Sequence, residues 1–354
     1  MQTYVVYFSV FFIVLLFAYL AQKKNKRKFM FFAALILVFV AGLRAETVGI
    51  DTPHYAELFD RIAEGRMDQA YGLEISFKYI CLFLLEIWND SNFLFFLFAL
   101  ITNFLIFQRL WDIKDQISLP WAVIVYFGVF YFMTFNIMRQ FVAASIIFWA
   151  TRYLAEKKYY KFLIFVAIST LFHESALLGV FFVAFDVFSS KYLTKKQRRF
   201  LNLFWVVGII VAISFGISII GRYINYFEKL QFDFGIMVFV KIALFVFTAA
   251  LLKREKWQDS DPNGYSVAAY IRNTAKVYYA FGILLTMLGY MFTYMDRIGI
   301  YFYLFETVYI GLVMKSKRVE VLAKLVVAIL YLMLVLVTML GDGQGQGNYL
   351  FCWQ

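Results

Sequence analysis

The sequence predicts an all-α polytopic integral membrane protein with about twelve transmembrane helices, some of them short or re-entrant, and no soluble domain. Of its 354 residues, 63% are hydrophobic and 16% are charged, whereas a soluble domain carries about 45–50% apolar and about 25% charged residues. The apolar residues form continuous runs, as in 2–21, 119–135 and 322–340. Only helices and closed barrels satisfy the backbone inside lipid, and a barrel would show alternating apolar residues. Continuous runs therefore predict helices.

Basic residues predict the side of the membrane on which each loop lies. Of the 34 Lys and Arg residues, 25 fall in six short segments that we assign to the cytoplasm, namely 22–28, 109–115, 152–161, 191–199, 253–276 and 315–324. Eight fall in segments assigned to the outside, and Lys241 lies within a span. Because Lys and Arg are enriched in short cytoplasmic loops, the net charge of +11 reflects topology, and we expect no nucleic-acid partner.

Twelve spans follow in order, with both termini outside: 2–21, 29–43, 91–108, 119–135, 138–154, 162–173, 174–190, 200–220, 236–252, 275–293, 298–314 and 322–340. The first is a retained helix rather than a cleaved signal peptide, because its basic residues follow the apolar run instead of preceding it. We expect the chain, 1–354, to form a single transmembrane domain with a cytoplasmic loop at 253–274. The Gly-rich tail at 341–347 is expected to be flexible and outside.

Two other segments decide the topology. Residues 73–88 are predicted as an amphipathic or re-entrant helix within an external loop at 44–90, because a full span there would move every later basic loop to the other side. Residues 162–190 are predicted as a tight hairpin that turns near His173, because a single helix would place the basic loop at 191–199 outside. Each half is short against the ~20 residues of an ordinary span. Short helices of this kind are tolerated where they line a cavity.

Ionisable residues cluster at one predicted depth, near the outer surface. A charged side chain inside a membrane segment costs roughly 2.5–3.5 kcal/mol on insertion scales, so such residues are candidates for function. The first group contains Arg44, Asp51, His54 and Tyr55, in the stretch GLRAETVGIDTPHY. The last three would face one way if this stretch were helical. The alternative is a solvated loop that contains an Arg–carboxylate pair.

A second group opens the span at 138–154. Asn136, Arg139 and Gln140 share one helical face at its start. A helix N-terminus presents free N–H groups and positive potential and therefore binds anions. Arginine adds a planar fork that suits phosphate oxygens. The alternative is that Arg139 only extends to the outer interface.

Two further groups lie at the same predicted depth. His173, followed by Glu174 and Ser175, lies at the hairpin turn, and a histidine can act as a base near neutral pH. Arg297 lies between two spans, with Tyr301 one turn further along. A structural histidine and a self-paired Asp–Arg loop are the alternatives.

Together the four groups indicate a class of reaction. Arg44, Arg139 and Arg297 supply three guanidinium groups at an apolar surface, which suit a lipid-linked phosphate or diphosphate. Asp51 or His173 supplies a base for a hydroxyl. Glycosyl transfer from a polyprenyl diphosphate sugar needs both, because preorganised cations stabilise the leaving diphosphate. A base on the opposite face of the sugar would invert the anomeric centre.

The sequence also argues against other chemistries. Its two cysteines, Cys81 and Cys352, form no CxxC or Cys/His cluster, so a disulfide scaffold or a zinc site is not expected. No carboxylate cluster indicates another metal. No P-loop or GxGxxG occurs, which argues against an ATP-driven pump. We therefore expect no metal and no cofactor.

At these residues the chain resembles the EpsG family of bacterial polysaccharide polymerases, the Wzy-like enzymes. The family pattern has GLR…G.D…Y after the second span, then N..RQ opening a middle span, then H.SAL in a short span. The matching residues are Gly42, Leu43, Arg44, Gly49, Asp51, Tyr55, Asn136, Arg139, Gln140, His173, Ser175, Ala176 and Leu177. The resemblance covers most of 1–190. The later half matches only in hydropathy and in an Arg followed by Tyr-Phe.

The resemblance implies an inverting glycosyltransferase that joins oligosaccharide repeat units carried on undecaprenyl diphosphate. Such an enzyme works at the outer face of the bacterial inner membrane, for O-antigen, capsule or exopolysaccharide, and a body of the GT-C type fits that activity. Carried over, Arg139 and Arg297 would hold diphosphate with help from Arg44, and His173 or Asp51 would activate the acceptor. The supporting residues would be Asn136, Gln140, Tyr55, Ser175 and Tyr301. The implied partners are the lipid-linked glycan, the bilayer, and a flippase and chain-length regulator of the same pathway.

The sequence departs from the family pattern at two places. Pro53 and His54 follow Asp51 where an aromatic residue is commoner. Glu174 separates His173 from Ser175, and its charge is expected to raise the pKa of the histidine and weaken it as a base.

Three other functions remain open on the sequence. A flippase or transporter of the same lipid-linked oligosaccharide would also line a cavity with arginine. A membrane acyltransferase that modifies surface glycans would need a His with an acidic partner near the cytoplasmic side. A non-catalytic assembly subunit would keep its function after individual replacement of Arg139, Asp51 and His173.

Overall fold

The structure is a computed structural model that describes residues 2–66, 74–189, 236–253, 267–289, 295–317 and 319–354. In these residues the regular elements are helices, and the β contact is one isolated bridge between Arg44 and Phe351. The first eight α-helices are α1 (Gln2–Lys24), α2 (Arg27–Gly42), α3 (Thr52–Ala63), α4 (Ile75–Leu85), α5 (Asn92–Asp112), α6 (Leu119–Val125), α7 (Met138–Ala155) and α8 (Tyr159–Phe172). The later ones are α9 (Val180–Ser189), α10 (Ile236–Lys253), α11 (Val267–Gly289), α12 (Met295–Tyr303), α13 (Glu306–Lys315) and α14 (Val321–Leu340).

Within the described ranges, three helices are long and apolar enough to cross a membrane by themselves, namely α1, α5 and α14. Four predicted segments lie wholly or mostly outside those ranges: the span at 200–220, the loops at 191–199 and 221–235, and most of the loop at 253–274. The helical membrane class is therefore supported, and the count of about twelve spans stays a prediction.

Helix α14 has the surface of a lipid-facing helix. Its buried residues recur every fourth position, at Ala323, Val327, Tyr331, Val335 and Met339. This spacing gives one buried stripe along a helix. The remaining faces expose large apolar side chains along their length, from Leu322 at 70% to Val337 at 66%. Contiguous exposed apolar surface of this kind indicates contact with a membrane.

Two predicted spans are not single α-helices. The span at 119–135 is α6 followed by a π-helix, Tyr126–Tyr131, and a 3-10 helix, Phe132–Phe135. A π-turn interrupts the regular hydrogen-bond ladder and often marks a functional site. The span at 298–314 is divided into α12 and α13, and Glu306 opens α13. A carboxylate is stabilised at a helix N-terminus, which favours the new start at this residue.

The hairpin predicted at 162–190 is confirmed. Helix α8 ends at Phe172, His173 has an extended backbone, and a 3-10 helix, Glu174–Gly179, leads into α9. The two arms then run antiparallel. The Phe162 and Phe182 ring centroids are 6.2 Å apart, and Lys157 Nζ lies 2.9 Å from Asp186 Oδ1.

The external loop predicted at 44–90 contains two short helices. Helix α4 corresponds to the amphipathic helix predicted at 73–88, and α3 packs against it. Helix α3 buries Tyr55, Phe59 and Ile62 on one side. His54 is exposed, so the expectation that His54 and Tyr55 would face the same way is wrong. The apolar stripe decides which face of α3 is buried.

The tail at 341–347 is bound to the helices, so the prediction that it is flexible is wrong. Gln346 is 1% exposed, and its carbonyl accepts a hydrogen bond from the Tyr7 hydroxyl at 3.0 Å. Its amide donates to the Thr338 carbonyl at 2.8 Å. Glycine and glutamine are common in disordered tails, but here polar groups of distant helices satisfy their hydrogen bonds.

Candidate active site

The first turn of α7 is the centre of the candidate site. Helix α7 is almost wholly buried and begins without a side-chain cap, directly after the π and 3-10 segment. Asn136, Arg139 and Gln140 lie on its opening turn and the residues before it. Each of the three contacts a different part of the chain, so this turn joins segments that are far apart in sequence.

Asn136 connects the Asp51 segment to the tail. Its Oδ1 accepts a hydrogen bond from the Asp51 backbone N–H at 3.2 Å. Its Nδ2 donates to Gln344, to Oε1 at 2.7 Å and to the carbonyl oxygen at 3.1 Å. Asn136 is 6% exposed, so these bonds are shielded from water. The Asp51 carboxylate is half-buried and accepts no hydrogen bond within the described part of the chain.

The structure shows why position 49, the first residue of the G.D pattern, is a glycine. Its φ is +106°, a conformation that side chains with a Cβ rarely adopt. A Cβ at this position would lie 2.4 Å from Thr52 Oγ1 and 3.1 Å from Asn136 Oδ1. The Gly49 N–H donates to the Gly345 carbonyl at 2.9 Å. The glycine therefore lets the backbone turn between Asn136 and the tail and brings Asp51 to its position.

Arg44 is buried and holds backbone groups. It is 1% exposed, and its guanidinium donates to the Val48 carbonyl at 3.1 Å, the Phe135 carbonyl at 3.0 Å and the Ala41 carbonyl. It also lies 4.7 Å from the Phe135 ring centroid. The Phe135 carbonyl is free to accept because the chain leaves regular helix there. Arg44 therefore ties the segment before α7 to the loop after α2.

Arg139 lies between α3 and α4. It forms an ion pair with Glu74, which precedes α4. Its guanidinium carbon lies 6.0 Å from the Tyr55 ring centroid and 5.6 Å from that of Phe77. Its Nε is buried and has no hydrogen-bond partner within the described residues. The side chain is thus held against aromatic rings and a carboxylate, and it retains one donor.

Gln140 connects α7 to α12. Its Nε2 donates to the Arg297 carbonyl at 2.5 Å, and it hydrogen bonds to the Tyr301 hydroxyl. Tyr301 is fully buried. Its hydroxyl lies 3.0 Å from Ser175 Oγ, which lies 2.6 Å from His173 Nδ1. A chain of polar contacts therefore runs from the first turn of α7 to the turn of the hairpin.

The charge state of His173 follows from its surroundings. It lies in the connection between helices, outside the helical spans. Burial, together with the positive charges of Arg139 and Arg297, lowers the pKa of His173 from 6.5 to about 4. The expectation that Glu174 would raise this pKa is wrong, because Glu174 is exposed and the two arginines act on the ring instead. At neutral pH the ring is uncharged.

Hydrogen bonding also indicates which nitrogen of His173 carries the proton. The Ser175 N–H donates to Nδ1 at 3.4 Å, and Ser175 Oγ is 2.6 Å from the same atom. A nitrogen that accepts a hydrogen bond has no proton of its own. In the neutral ring the proton therefore lies on Nε2, which faces away from Ser175 as a donor.

The structure brings most of the predicted site residues together. Each of the four sequence groups contacts, or acts electrostatically on, at least one of the others through the first turn of α7. Arg44 differs from the other predicted site residues, because its guanidinium donates to backbone carbonyls of the protein. Two further contributors, Glu74 and Gln344, were not predicted as site residues. Neither belongs to a motif, and the sequence carries no signal that links them to Arg139 and Asn136.

The profile of the EpsG family matches residues 27–351 of the chain. The chain belongs to the EpsG family. The match spans all four polar groups and the tail, including the second half, in which only hydropathy and one Arg-Tyr-Phe spacing had resembled the family. No curated protein and no solved structure matches the chain.

EpsG family membership, with the apolar helices, indicates a membrane protein of polysaccharide biosynthesis with a glycosyltransferase-like polymerase role. The first turn of α7 has three separate contacts in this protein: Asn136 bonds to the Asp51 segment, Arg139 pairs with Glu74, and Gln140 donates to the Arg297 carbonyl.

Proposed function

We propose that this protein joins oligosaccharide repeat units carried on undecaprenyl diphosphate, at the outer face of the bacterial cytoplasmic membrane. The main support is that Gln140, the neighbour of Arg139 on α7, donates to the Arg297 carbonyl at 2.5 Å, which brings two arginine segments that are distant in sequence to one turn. The positive charges of both arginines also lower the pKa of His173. The site therefore combines two guanidinium groups with a neutral imidazole, and Glu74 forms an ion pair with one of them, Arg139. Such a site favours a dianionic ligand such as diphosphate.

In this proposal Arg139 and Arg297 hold the diphosphate of the donor. Arg139 has an unused Nε–H for one phosphate oxygen, and the neutral His173 offers its Nε2–H as a second kind of donor. As the glycosidic bond breaks, negative charge develops on the diphosphate, and preorganised donors stabilise it more than they stabilise the ground state. Ser175 and Tyr301 fix the orientation of the imidazole through Nδ1.

Asp51 is then the base that activates the acceptor hydroxyl. An inverting displacement needs its base on the side of the sugar opposite the leaving group. The charges of Arg139 and Arg297 act on His173, and its Nε2 carries a proton. In this proposal His173 therefore donates a hydrogen bond to the leaving diphosphate. The Asp51 carboxylate accepts no hydrogen bond within the described residues, and Asn136 and Gly49 hold its backbone. The base accepts the hydroxyl proton as the new glycosidic bond forms and the bond to diphosphate breaks.

Arg44 has a positioning role in this proposal rather than direct contact with diphosphate. It is enclosed, and its donors reach the carbonyls of Ala41, Val48 and Phe135. Through Phe135 it sets the residue that immediately precedes Asn136. A flippase and a chain-length regulator would supply the substrate and set the product length.

The test is reconstitution of the purified protein in liposomes with an undecaprenyl-diphosphate-linked repeat unit, followed by sizing of the glycan. Wild type should give a ladder of polymer. Arg139→Ala should lower the rate by about 10²–10³-fold, as for loss of one transition-state donor. The matched control is Arg61→Ala, which removes an arginine from α3 that forms an ion pair with Glu57. The control should polymerise at the wild-type rate.

The base assignment has its own measurement. Asp51→Asn should lower kcat and leave KM for the donor nearly unchanged, whereas His173→Asn should raise KM and lower kcat less. Polymer from Asp51→Asn at the wild-type rate would refute the assignment. A product of one repeat unit from wild type, together with transfer of that unit across the bilayer, would favour the flippase. Acyl transfer to the glycan would favour the acyltransferase.

A further inference from the structure

A cavity adjoins the tail residue Gln344, which accepts a hydrogen bond from Asn136. Its volume is about 380 Å³, within the range of pockets for small molecules or parts of lipids. Its walls come from the π and 3-10 segment, α10, α14 and the tail. The lining residues used below are Phe132, Leu334, Val337, Lys241, Gln344 and Gln346.

Lys241 is the charged group of this cavity. It lies in α10, five residues from the start of a helix made almost entirely of apolar residues. Its ammonium lies 4.3 Å from the Tyr303 ring centroid, and it forms no ion pair within the described residues. A lysine inside a membrane segment costs roughly 2.5–3.5 kcal/mol, and one aromatic contact offsets about 0.5–2 kcal/mol of this. An anionic ligand in the cavity would offset part of the remainder.

Within the described residues, the carboxylate that acts on Lys241 forms hydrogen bonds with two tyrosines through one of its oxygens. Glu306 is fully buried, and its Oε1 accepts hydrogen bonds from the Tyr279 hydroxyl at 2.9 Å and the Tyr331 hydroxyl at 2.5 Å. It attracts Lys241 over a distance but does not pair with it. Within the part of the chain that the structure describes, no acceptor uses the Lys241 ammonium, so its donors remain for a ligand in the cavity.

The tail supplies a second donor. Gln344 accepts the hydrogen bond from Asn136 through Oε1, which leaves its Nε2 without a hydrogen-bond partner in the described part of the chain. Both Nε2 of Gln344 and Nζ of Lys241 belong to residues that line the cavity. An ammonium and an amide N–H form an anion-binding pair, and phosphate oxygens accept from both.

The other walls of the cavity are apolar, so a ligand that covers them would need an apolar part. Phe132, Leu334 and Val337 line it. Val337 is also 66% exposed on the outside of α14, where the surface is apolar along the helix. The cavity therefore borders the surface that faces lipid chains. A free phosphate ion would leave these walls uncovered, whereas the chain of a lipid would cover them.

We infer that this cavity binds the phosphate group of an anionic membrane lipid, with Lys241 and Gln344 at the phosphate and the lipid chain along Val337 on α14. Two sources share this chemistry, namely an anionic phospholipid and a polyprenyl phosphate. Because Gln344 also holds Asn136, the bound lipid adjoins the segment that holds Asp51. The inference does not require polymerase activity, and its test measures binding alone.

The test is lipid retention by the purified, delipidated protein after incubation with vesicles, measured by native mass spectrometry. Three kinds of vesicle are used: phosphatidylcholine alone, phosphatidylcholine with phosphatidylglycerol, and phosphatidylcholine with undecaprenyl phosphate. Wild type should retain an anionic lipid in preference to phosphatidylcholine, and Lys241→Met should lower this occupancy at least ten-fold. Lys241→Arg keeps the charge and should retain the lipid. The matched control, Lys324→Met, removes a lysine from α14 that does not line the cavity.

Each possible result either supports the inference or overturns it. Retention of phosphatidylglycerol, of undecaprenyl phosphate or of both by wild type, lost in Lys241→Met, supports it and identifies the source. Equal retention by wild type and Lys241→Met, or no preference over phosphatidylcholine, overturns it. If Lys241→Met fails to elute as a single species, Gln344→Glu replaces it, because a carboxylate beside the phosphate should lower retention by repulsion while Gln344→Ala lowers it less.

Discussion

The hydrogen bond between Asn136 and Gln344 joins the tail to the site, and a double-mutant cycle measures it. Asn136→Ala removes three hydrogen bonds, at 3.2 Å from the Asp51 N–H and at 2.7 and 3.1 Å to Gln344. At a net of about 1 kcal/mol for each bond, it should lower the free energy of unfolding by about 3 kcal/mol. Gln344→Ala removes only the side-chain bond at 2.7 Å and should cost about 1 kcal/mol.

The double variant should cost no more than Asn136→Ala alone, because that replacement already removes the bond to Gln344. The coupling energy is then about 1 kcal/mol, within the range of about 0.6–1.7 kcal/mol measured for polar pairs in helical membrane proteins. The assay is reversible unfolding in mixed micelles, followed by tryptophan fluorescence for wild type, both single variants and the double variant.

Gln22 provides the control for the cycle. It bonds to the Ile117 carbonyl and the Leu119 N–H, each at 2.9 Å. It lies fifteen residues along α1 from Tyr7, which contacts the tail, or about 22 Å at 1.5 Å per residue. Asn136→Ala and Gln22→Ala should therefore be additive. If Asn136→Ala and Gln344→Ala are also additive within about 0.3 kcal/mol, the tail is not bound to Asn136 and the reasoning fails.

Three further predictions concern the same region. Gly49→Ala should lower the free energy of unfolding by about 1–3 kcal/mol more than Gly65→Ala, because both have positive φ but only Gly49 has neighbours within 4 Å; equal costs in chemical unfolding would contradict this. Arg44→Lys should cost about 2–4 kcal/mol in the same assay, since a lysine does not reproduce the fork that reaches three carbonyls, whereas Arg61→Lys, at a partly exposed position, should cost under 0.5 kcal/mol. The pKa of His173 is lowered in the folded state, so the unfolded state binds more protons between pH 6.5 and about 4. Unfolding free energy should then fall by up to about 3 kcal/mol as pH falls through that window, and a His173→Gln variant with the wild-type pH dependence would rule this out.

Local patterns in the sequence predicted the long apolar helices and the clusters of polar residues. Long apolar runs must become helices in lipid because the backbone has no other partner there, and so α1, α5 and α14 match their predictions. The hairpin at His173 followed from charge, since a single helix over 162–190 would place the basic residues at 191–199 outside. The spacing of Asn136, Arg139 and Gln140 predicted one polar turn because residues three and four apart share a face of a helix.

Only the tertiary structure decided what each candidate residue contacts. Arg44 and Arg139 are both arginines at predicted outer positions, yet one is enclosed by carbonyls and the other faces aromatic rings and Glu74. The Gly-rich tail has the composition of a disordered segment, yet it is bound to Asn136 and Gly49. Contacts of this kind depend on packing between segments far apart in the chain, such as Tyr7 and Gln346, which are 339 residues apart. Neither periodicity nor composition encodes which surfaces meet. Sequence determined which residues are polar within the membrane, and packing determined which of them can face a ligand.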